Sequence, residues 1–221
     1  DLFHSEARLV AIWGDAQFVD RDLAELTVQH GLAHAVADGY SRKRTGVLAA
    51  LSGSFAVAIL DRDRGETVLA TDRIGTHPLA YSEVDGQLVF ASTLAAIDEF
   101  AGSSRDIDAQ SIYDYVHYPM VPARRTAYRT RRYLLPGTYL RWRDGKAEIA
   151  AYWEMRFFEV ETRPFAELKS RFREALGTSV RDAVKNGTTG AFLSGGTDSS
   201  TIAGLLGEVT GEPARTYSIG F

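Results

Sequence analysis

The chain has no cysteine at all. That excludes disulfides, thiolate metal sites and a cysteine nucleophile among its 221 residues. A surplus of positive charge is also missing: 25 Lys and Arg face 29 Asp and Glu, for a formal net charge of −4. Bulk electrostatic attraction to nucleic acid therefore has no basis here. No run is apolar and long enough to span a bilayer. The opening Asp1-Leu2-Phe3-His4-Ser5-Glu6 lacks the basic and apolar parts of a secretion signal. The resulting expectation is a cytoplasmic protein with neither a nucleic-acid nor a membrane partner. What remains is ordinary globular material, 45% hydrophobic and 24% charged, long enough for one large domain or two smaller ones.

Two patterns divide the chain. Up to about Trp153 the signals are antiparallel. Residues 8–13 read as a buried strand, and Asp22 to Gly39 as one helix with Leu23, Leu26, His30 and His34 at helical spacing. Ser54–Leu60 and Thr67–Thr71 flank the turn Asp61-Arg62-Asp63-Arg64-Gly65. Gln87–Ala91 follows a turn at Asp85-Gly86, and Tyr139–Arg143 with Ala147–Tyr152 frames another at Asp144-Gly145. A helix is expected from Asp108 to Tyr118, stopped by Pro119. This is an α+β arrangement. From Phe165 to Val184 the pattern becomes an amphipathic helix with Leu168, Phe172, Leu176, Val180 and Val184 on one stripe. Strand Ala191–Leu193, helix Thr201–Glu208 and strand Thr216–Phe221 complete a β-α-β order, which implies a parallel pair. The domains are placed at 1–153 and 154–221, with the boundary between Trp153 and Pro164. Two strands and two helices cannot cover a parallel sheet on both faces, so the sequence reads as a piece of a longer protein.

The most informative segment is Leu193-Ser194-Gly195-Gly196-Thr197-Asp198-Ser199-Ser200, between an apolar strand and a helix. Two glycines let the backbone approach an anion without Cβ interference. Ser194, Asp198, Ser199 and Ser200 supply hydroxyls, a magnesium ligand and capping groups. The helix N-terminus adds free amides and the positive end of its dipole. The segment lacks the Lys of a Walker loop, which disfavours a P-loop kinase or GTPase.

Ser194 to Ser200 resembles the pyrophosphate loop of the asparagine synthetase family, a branch of the ATP pyrophosphatases. Asp72-Arg73-Ile74-Gly75-Thr76-His77-Pro78-Leu79-Ala80-Tyr81 is similar to the Asp-Arg-x-Gly-x-x-Pro-Leu-x-Tyr stretch of that family's glutaminase-type domain, and Leu51–Ala58 to the strand before it. Val121-Pro122, Leu135-Pro136-Gly137-Thr138-Tyr139-Leu140 and Tyr152-Trp153 follow in the family's order. The resemblance implies an incomplete glutaminase-type (Ntn-hydrolase-like) α+β domain, then the start of an α/β parallel-sheet ATP-pyrophosphatase domain. It implies ATP and Mg2+ as cofactors, a small-molecule or peptide carboxylate, an amine donor, and room for a homodimer. By the same resemblance Ser194, Gly195, Gly196, Ser199 and Ser200 hold the β- and γ-phosphates, and Asp198 holds magnesium. Leu193 and Ile219 line the adenine pocket, Ile219 through its backbone, and the remaining catalytic residues lie beyond Phe221.

The glutaminase half departs from the family. Where family members carry Asn-Gly-Glu this chain has Trp13-Gly14-Asp15, and indole cannot present the amide donor an oxyanion site needs. His30-Gly31-Leu32 stands where Gly-Ser-Asp binds the substrate ammonium, and Asp1 cannot replace the cysteine. The expectation is a structural, glutaminase-dead domain. Asparagine from aspartate is then the default product. β-Lactam or macrolactam closure by a substrate's own amine, ammonia-dependent asparagine formation and a non-catalytic interaction module stay open. Asp72 and Arg73 are expected to brace a loop through backbone groups. His30 and His34 have metal-ligand spacing without a third ligand. Arg124, Arg125, Arg129, Arg131 and Arg132 are expected to form a solvated, partly domain-bridging loop rather than a polyanion site.

Overall fold

The computed structural model describes every residue except 101, 103, 158–161, 185–188 and 221. It separates into two compact units, Asp1–Arg156 and Phe157–Phe221. The first contains β1 (Leu2–His4), β2 (Arg8–Phe18), α1 (Arg21–His30), α2 (Leu32–Lys43), a 3-10 turn (Arg44–Ala50), β3 (Leu51–Asp61), β4 (Glu66–Thr71), β5 (Ala80–Val84) and β6 (Gln87–Ala91). It continues with α3 (Leu94–Asp98), α4 (Ala109–His117), β7 (Arg131–Tyr133), β8 (Thr138–Arg143) and β9 (Lys146–Ala151). The strands form a six-stranded sheet in the order β1-β2-β3-β4-β8-β9 and a three-stranded sheet in the order β6-β5-β7. All their pairings are antiparallel.

Alternation along β3 explains the layering. Phe55, Val57 and Ile59 join a core with Val10, Ile12, Leu23, Val36 and Tyr40, so this face lies under α1 and α2. Ala56 and Ala58 point the other way and meet Leu69, Leu79, Leu134 and Leu140, with Tyr81 and Phe90 of the smaller sheet packed against them. A strand covered on both faces reads as a continuous apolar run, as Phe55–Leu60 does. At the far end of β3, Asp61 is 3.0 Å from Arg8 and 3.3 Å from Arg44, and the Tyr40 hydroxyl donates to Glu66 at 2.6 Å. Burial pushes the Asp61 carboxyl up, but the Arg8 and Arg44 guanidiniums outweigh it and hold the group below its ordinary value.

Several expectations are corrected. The single helix over 22–39 is two helices, because Gly31 at φ 92° ends α1 and the Asp1 carboxylate accepts from the Ala33 amide at the start of α2. The strand at 8–13 runs on to Phe18, paired with β3 throughout. The arginine-rich segment is solvated at Arg124, Arg125 and Arg129, as expected, but not at Arg131, which is fully buried, 2.5 Å from Asp98, donates to Ser104 O at 2.9 Å and lies over the Tyr128 ring at 4.1 Å. Arg125 pairs with Asp114, and Arg129 and Arg132 donate to backbone carbonyls, all within the first unit.

The second unit holds α5 (Phe165–Ala183), β10 (Gly190–Phe192), α6 (Thr197–Thr210) and β11 (Arg215–Tyr217). β10 and β11 are parallel, in register Gly190↔Arg215 to Phe192↔Tyr217. Val180, Ala191, Ala203 and Leu206 form its core. Of the predicted stripe on α5 only Val180 is buried, and Phe172 is exposed. The helix expected from Thr201 begins at Thr197, so Ser199 and Ser200 stand in its first turn while Ser194 precedes it. The expected strand 216–221 ends at Tyr217, and Phe221 lies outside the described residues. No described helix is long and apolar enough to cross a membrane.

Asp72 organises the first unit. Its buried carboxylate accepts from the amides of Phe55, Ile74, Gly75, Thr76 and His77 at 2.8–3.4 Å. Burial alone raises its pKa, and the amides of Ile74, Thr76, Phe55 and His77 reverse that and leave it lowered. Arg73 donates to Ala49 O and Leu51 O at 3.4 and 3.3 Å, the bracing role expected of it.

Asp72→Ala strands these donors and is expected to cost about 3 kcal/mol in urea unfolding. A folded pKa below the unfolded one gives stability that is present above about pH 4 and lost as pH falls through the folded value. The gap between wild type and Asp72→Asn should therefore be wide at pH 7 and narrow at pH 3. Arg131→Ala is expected to lose about 3 kcal/mol, because it empties a fully buried guanidinium site and leaves Asp98 with only the longer, more exposed contact to Arg105 at 3.4 Å. Arg129→Ala, on the exposed side, should cost under about 1 kcal/mol in the same experiment.

Candidate functional site

The parallel pair sets the position of the site. β10 ends at Phe192, and the next residue continues the ladder: the Leu193 amide donates to Tyr217 O at 2.8 Å. Ligands of parallel sheets bind beyond the carboxyl ends of the strands, and the glycine segment lies there. Gly195 adopts φ +82°, in the left-handed region. Gly196, at φ −81° and ψ 160°, is the N-cap of α6, and no side chain caps the first turn. The capping expected of Asp198 and the serines is thus absent, and the helix presents its leading amides to whatever approaches. A Cβ on Gly195 would meet nothing within 4 Å, so the outer side of the turn is open.

Ser199 shapes the turn from inside. Its Oγ accepts the Ser194 amide at 3.2 Å, lies 3.0 Å from Ser194 Oγ and donates to Gly196 O at 3.1 Å. The Ser200 amide closes the first helical bond to Gly196 O at 3.1 Å. Asp198 sits in the first turn, exposed. Leu193 is half-buried against the second unit's core, whereas Ile219 is 74% exposed. The structure therefore brings Leu193, Ser194, Gly195, Gly196, Asp198, Ser199 and Ser200 together around one strand end. Ile219 follows the end of the adjacent strand. Sequence reasoning passed over Ser218, whose Oγ donates to Leu193 O at 2.7 Å. The available signal was a hydroxyl residue just past the second parallel strand.

The glutaminase-type positions lie in the first unit. Trp13-Gly14-Asp15 is mid-strand in β2, opposite Ala56, Phe55 and Ser54. Trp13 is 57% exposed and lies against His77, with ring centroids 5.5 Å apart. Gly14 has φ +109°, and a Cβ there would fall 2.3 Å from Ser54 O. His30-Gly31-Leu32 forms the break between α1 and α2, where the His30 and His34 rings meet at a tilt of 47° with centroids 5.0 Å apart. Among the described residues no group of three or more His, Cys, Asp or Glu could hold a metal ion.

Comparison with known proteins places both halves. The glutamine amidotransferase domain family matches residues 33–153, and the asparagine synthase family matches residues 171–221. The glutamine-hydrolysing asparagine synthetase 1 of Bacillus subtilis is 30% identical over 174 residues, 77% of this chain and 27% of that protein. The amidase chyE of Penicillium rubens is 28% identical over 164 residues, 72% of this chain and 24% of its own length. The chain thus spans only about a quarter of these relatives. A solved glutamine phosphoribosylpyrophosphate amidotransferase of B. subtilis, complexed with ADP and GMP, superposes with a TM-score of 0.45 at 17% identity, covering 97% of this chain and 47% of that one. The chain belongs to the asparagine synthetase family, with a glutamine amidotransferase-type domain preceding the start of an asparagine synthase domain.

Proposed function

We propose that the protein is an ATP-dependent, AMP-forming carboxylate–amine ligase. The observation that carries this reading is the turn at residues 194–196: a left-handed glycine and an uncapped helix start at the end of a parallel strand. In the proposed reaction a carboxylate oxygen attacks the α-phosphorus of ATP. The bond to the bridging oxygen breaks, pyrophosphate leaves, and an amine then displaces AMP from the acyl-adenylate. The leading amides of α6 and the Ser194 and Ser200 hydroxyls hold the departing diphosphate. Asp198 puts negative charge at the same helix end, which opposes a bare polyphosphate. A single carboxylate facing phosphate oxygens suits Mg2+, which takes one or two carboxylates plus phosphates, so the donor set fits that ion. Magnesium supplies charge neutralisation there when bound. Leu193 and the Ile219 backbone are assigned to the adenine side. Aspartate is the default acid, and the location is proposed as cytoplasmic.

A second reading concerns the amine. Trp13, exposed and in tilted ring contact with His77, stands where the family it resembles has an amide donor. That favours an amine other than glutamine-derived ammonia, including a substrate's own amine closing a lactam.

In full-length protein, ATP–pyrophosphate exchange should depend on an added carboxylic acid, and Asp198→Asn should lower it about 100-fold. Exchange unchanged by that substitution would contradict the assignment. Gly195→Ala should cost about 1 kcal/mol of stability, from left-handed strain alone, yet lower exchange more than tenfold. Glutamate release from glutamine should stay at background. Release at the rate of acyl transfer would restore a working glutaminase.

A further inference from the structure

We propose that Ser218 is a positioning residue for the diphosphate turn, acting through the peptide group between Leu193 and Ser194. The inference rests on the nucleotide reading above and goes beyond it, since Ser218 lies past the other strand, on the side assigned to adenine.

The peptide plane entering the turn is held at both ends. On one side the Leu193 carbonyl accepts from Ser218 Oγ at 2.7 Å. On the other the Ser194 N–H donates to Ser199 Oγ at 3.2 Å. These two groups belong to one rigid peptide unit, so fixing the carbonyl fixes the direction of the amide. Ser199 belongs to α6 and Ser218 to the segment after β11, and the Leu193 amide is tied to Tyr217 O at 2.8 Å. Two of these bonds hold the Leu193–Ser194 peptide itself and the third holds the peptide before it, so the orientation is set before Gly195, where the chain turns at φ +82°. Glycine alone supplies conformational freedom, which is a liability unless something selects one conformer. The two serine hydroxyls make that selection, and they make it before any ligand arrives. Pre-set donors avoid a reorganisation cost when the diphosphate binds.

Inorganic pyrophosphate with magnesium is the discriminating probe, because it has no nucleoside to touch Ser218. In full-length protein, Ser218→Ala should weaken its binding about tenfold, the loss of one well-made hydrogen bond, and Ser218→Thr should restore it. Exchange of amide hydrogens in peptides spanning residues 192–197 should quicken in nucleotide-free Ser218→Ala and stay slow in Ser218→Thr. Magnesium pyrophosphate binding within twofold of wild type in Ser218→Ala, with amide exchange unchanged, would overturn the inference. Wild-type protein that binds neither pyrophosphate nor ATP would instead overturn the nucleotide reading, and the inference with it.

Discussion

The first unit is built around one buried carboxylate. Asp72 leaves β4 at the point where the chain must cross from the six-stranded sheet to the three-stranded one, and a crossing of that kind exposes backbone donors. Asp72 collects them: one from β3 at Phe55 and four from the turn that follows. Its own backbone is engaged as well, its amide donating to Phe55 O and its carbonyl accepting from Gly137. The same corner is fastened by Thr71 Oγ1 to Leu135 O and by the Tyr152 hydroxyl to Thr71 O. A charged acceptor is needed because neutral groups could not compensate so many buried amides in one place. Arg73 fastens β3's entry to the same point through Ala49 O and Leu51 O, so the Asp-Arg pair acts as a structural joint.

The joint, the hairpins and the core alternation of β3 belong to holding a fold together. Trp13 and Leu32 take no part in the hydrogen bonds of that joint, and they are the positions where the sequence departs from the glutaminase pattern it resembles. Trp13 is exposed, and exposed residues contribute little to stability, whereas Leu32 packs against the core. The second unit shows the reverse: its glycine turn keeps conformational demands, left-handed φ and an uncapped helix start, that serve no packing purpose visible around it.

Most of the fold was legible where backbone conformation restricts residue choice. Asp85-Gly86 and Asp144-Gly145 take φ of 50° and 75°, and 51° and 70°, the signature of tight hairpin turns, and the strands on either side followed. Gly31 misled because apolar and histidine spacing carries on through it, and the His30 and His34 rings still meet across the break. The start of α6 was misplaced because Thr, Asp and Ser are favoured in turns and caps, while the same residues also fill a first helical turn. Arg131 was illegible for another reason. Its partners, Leu94, Asp98 and Ser104, are distant in sequence, so nothing local marked it as buried. At the site, the glycine segment was readable from its composition. The Ser218 hydroxyl was not, since its meaning depends on the parallel pairing that brings it to Leu193.

The central claim is that the turn at residues 194–200 grips the diphosphate that leaves ATP. A crystal structure of the full-length protein with ATP, magnesium and a non-reactive carboxylate analogue tests it most directly. The account predicts β- and γ-phosphate density within hydrogen-bonding distance of the leading amides of α6, with the metal between those oxygens and Asp198. Triphosphate density elsewhere, with this turn empty, would contradict it.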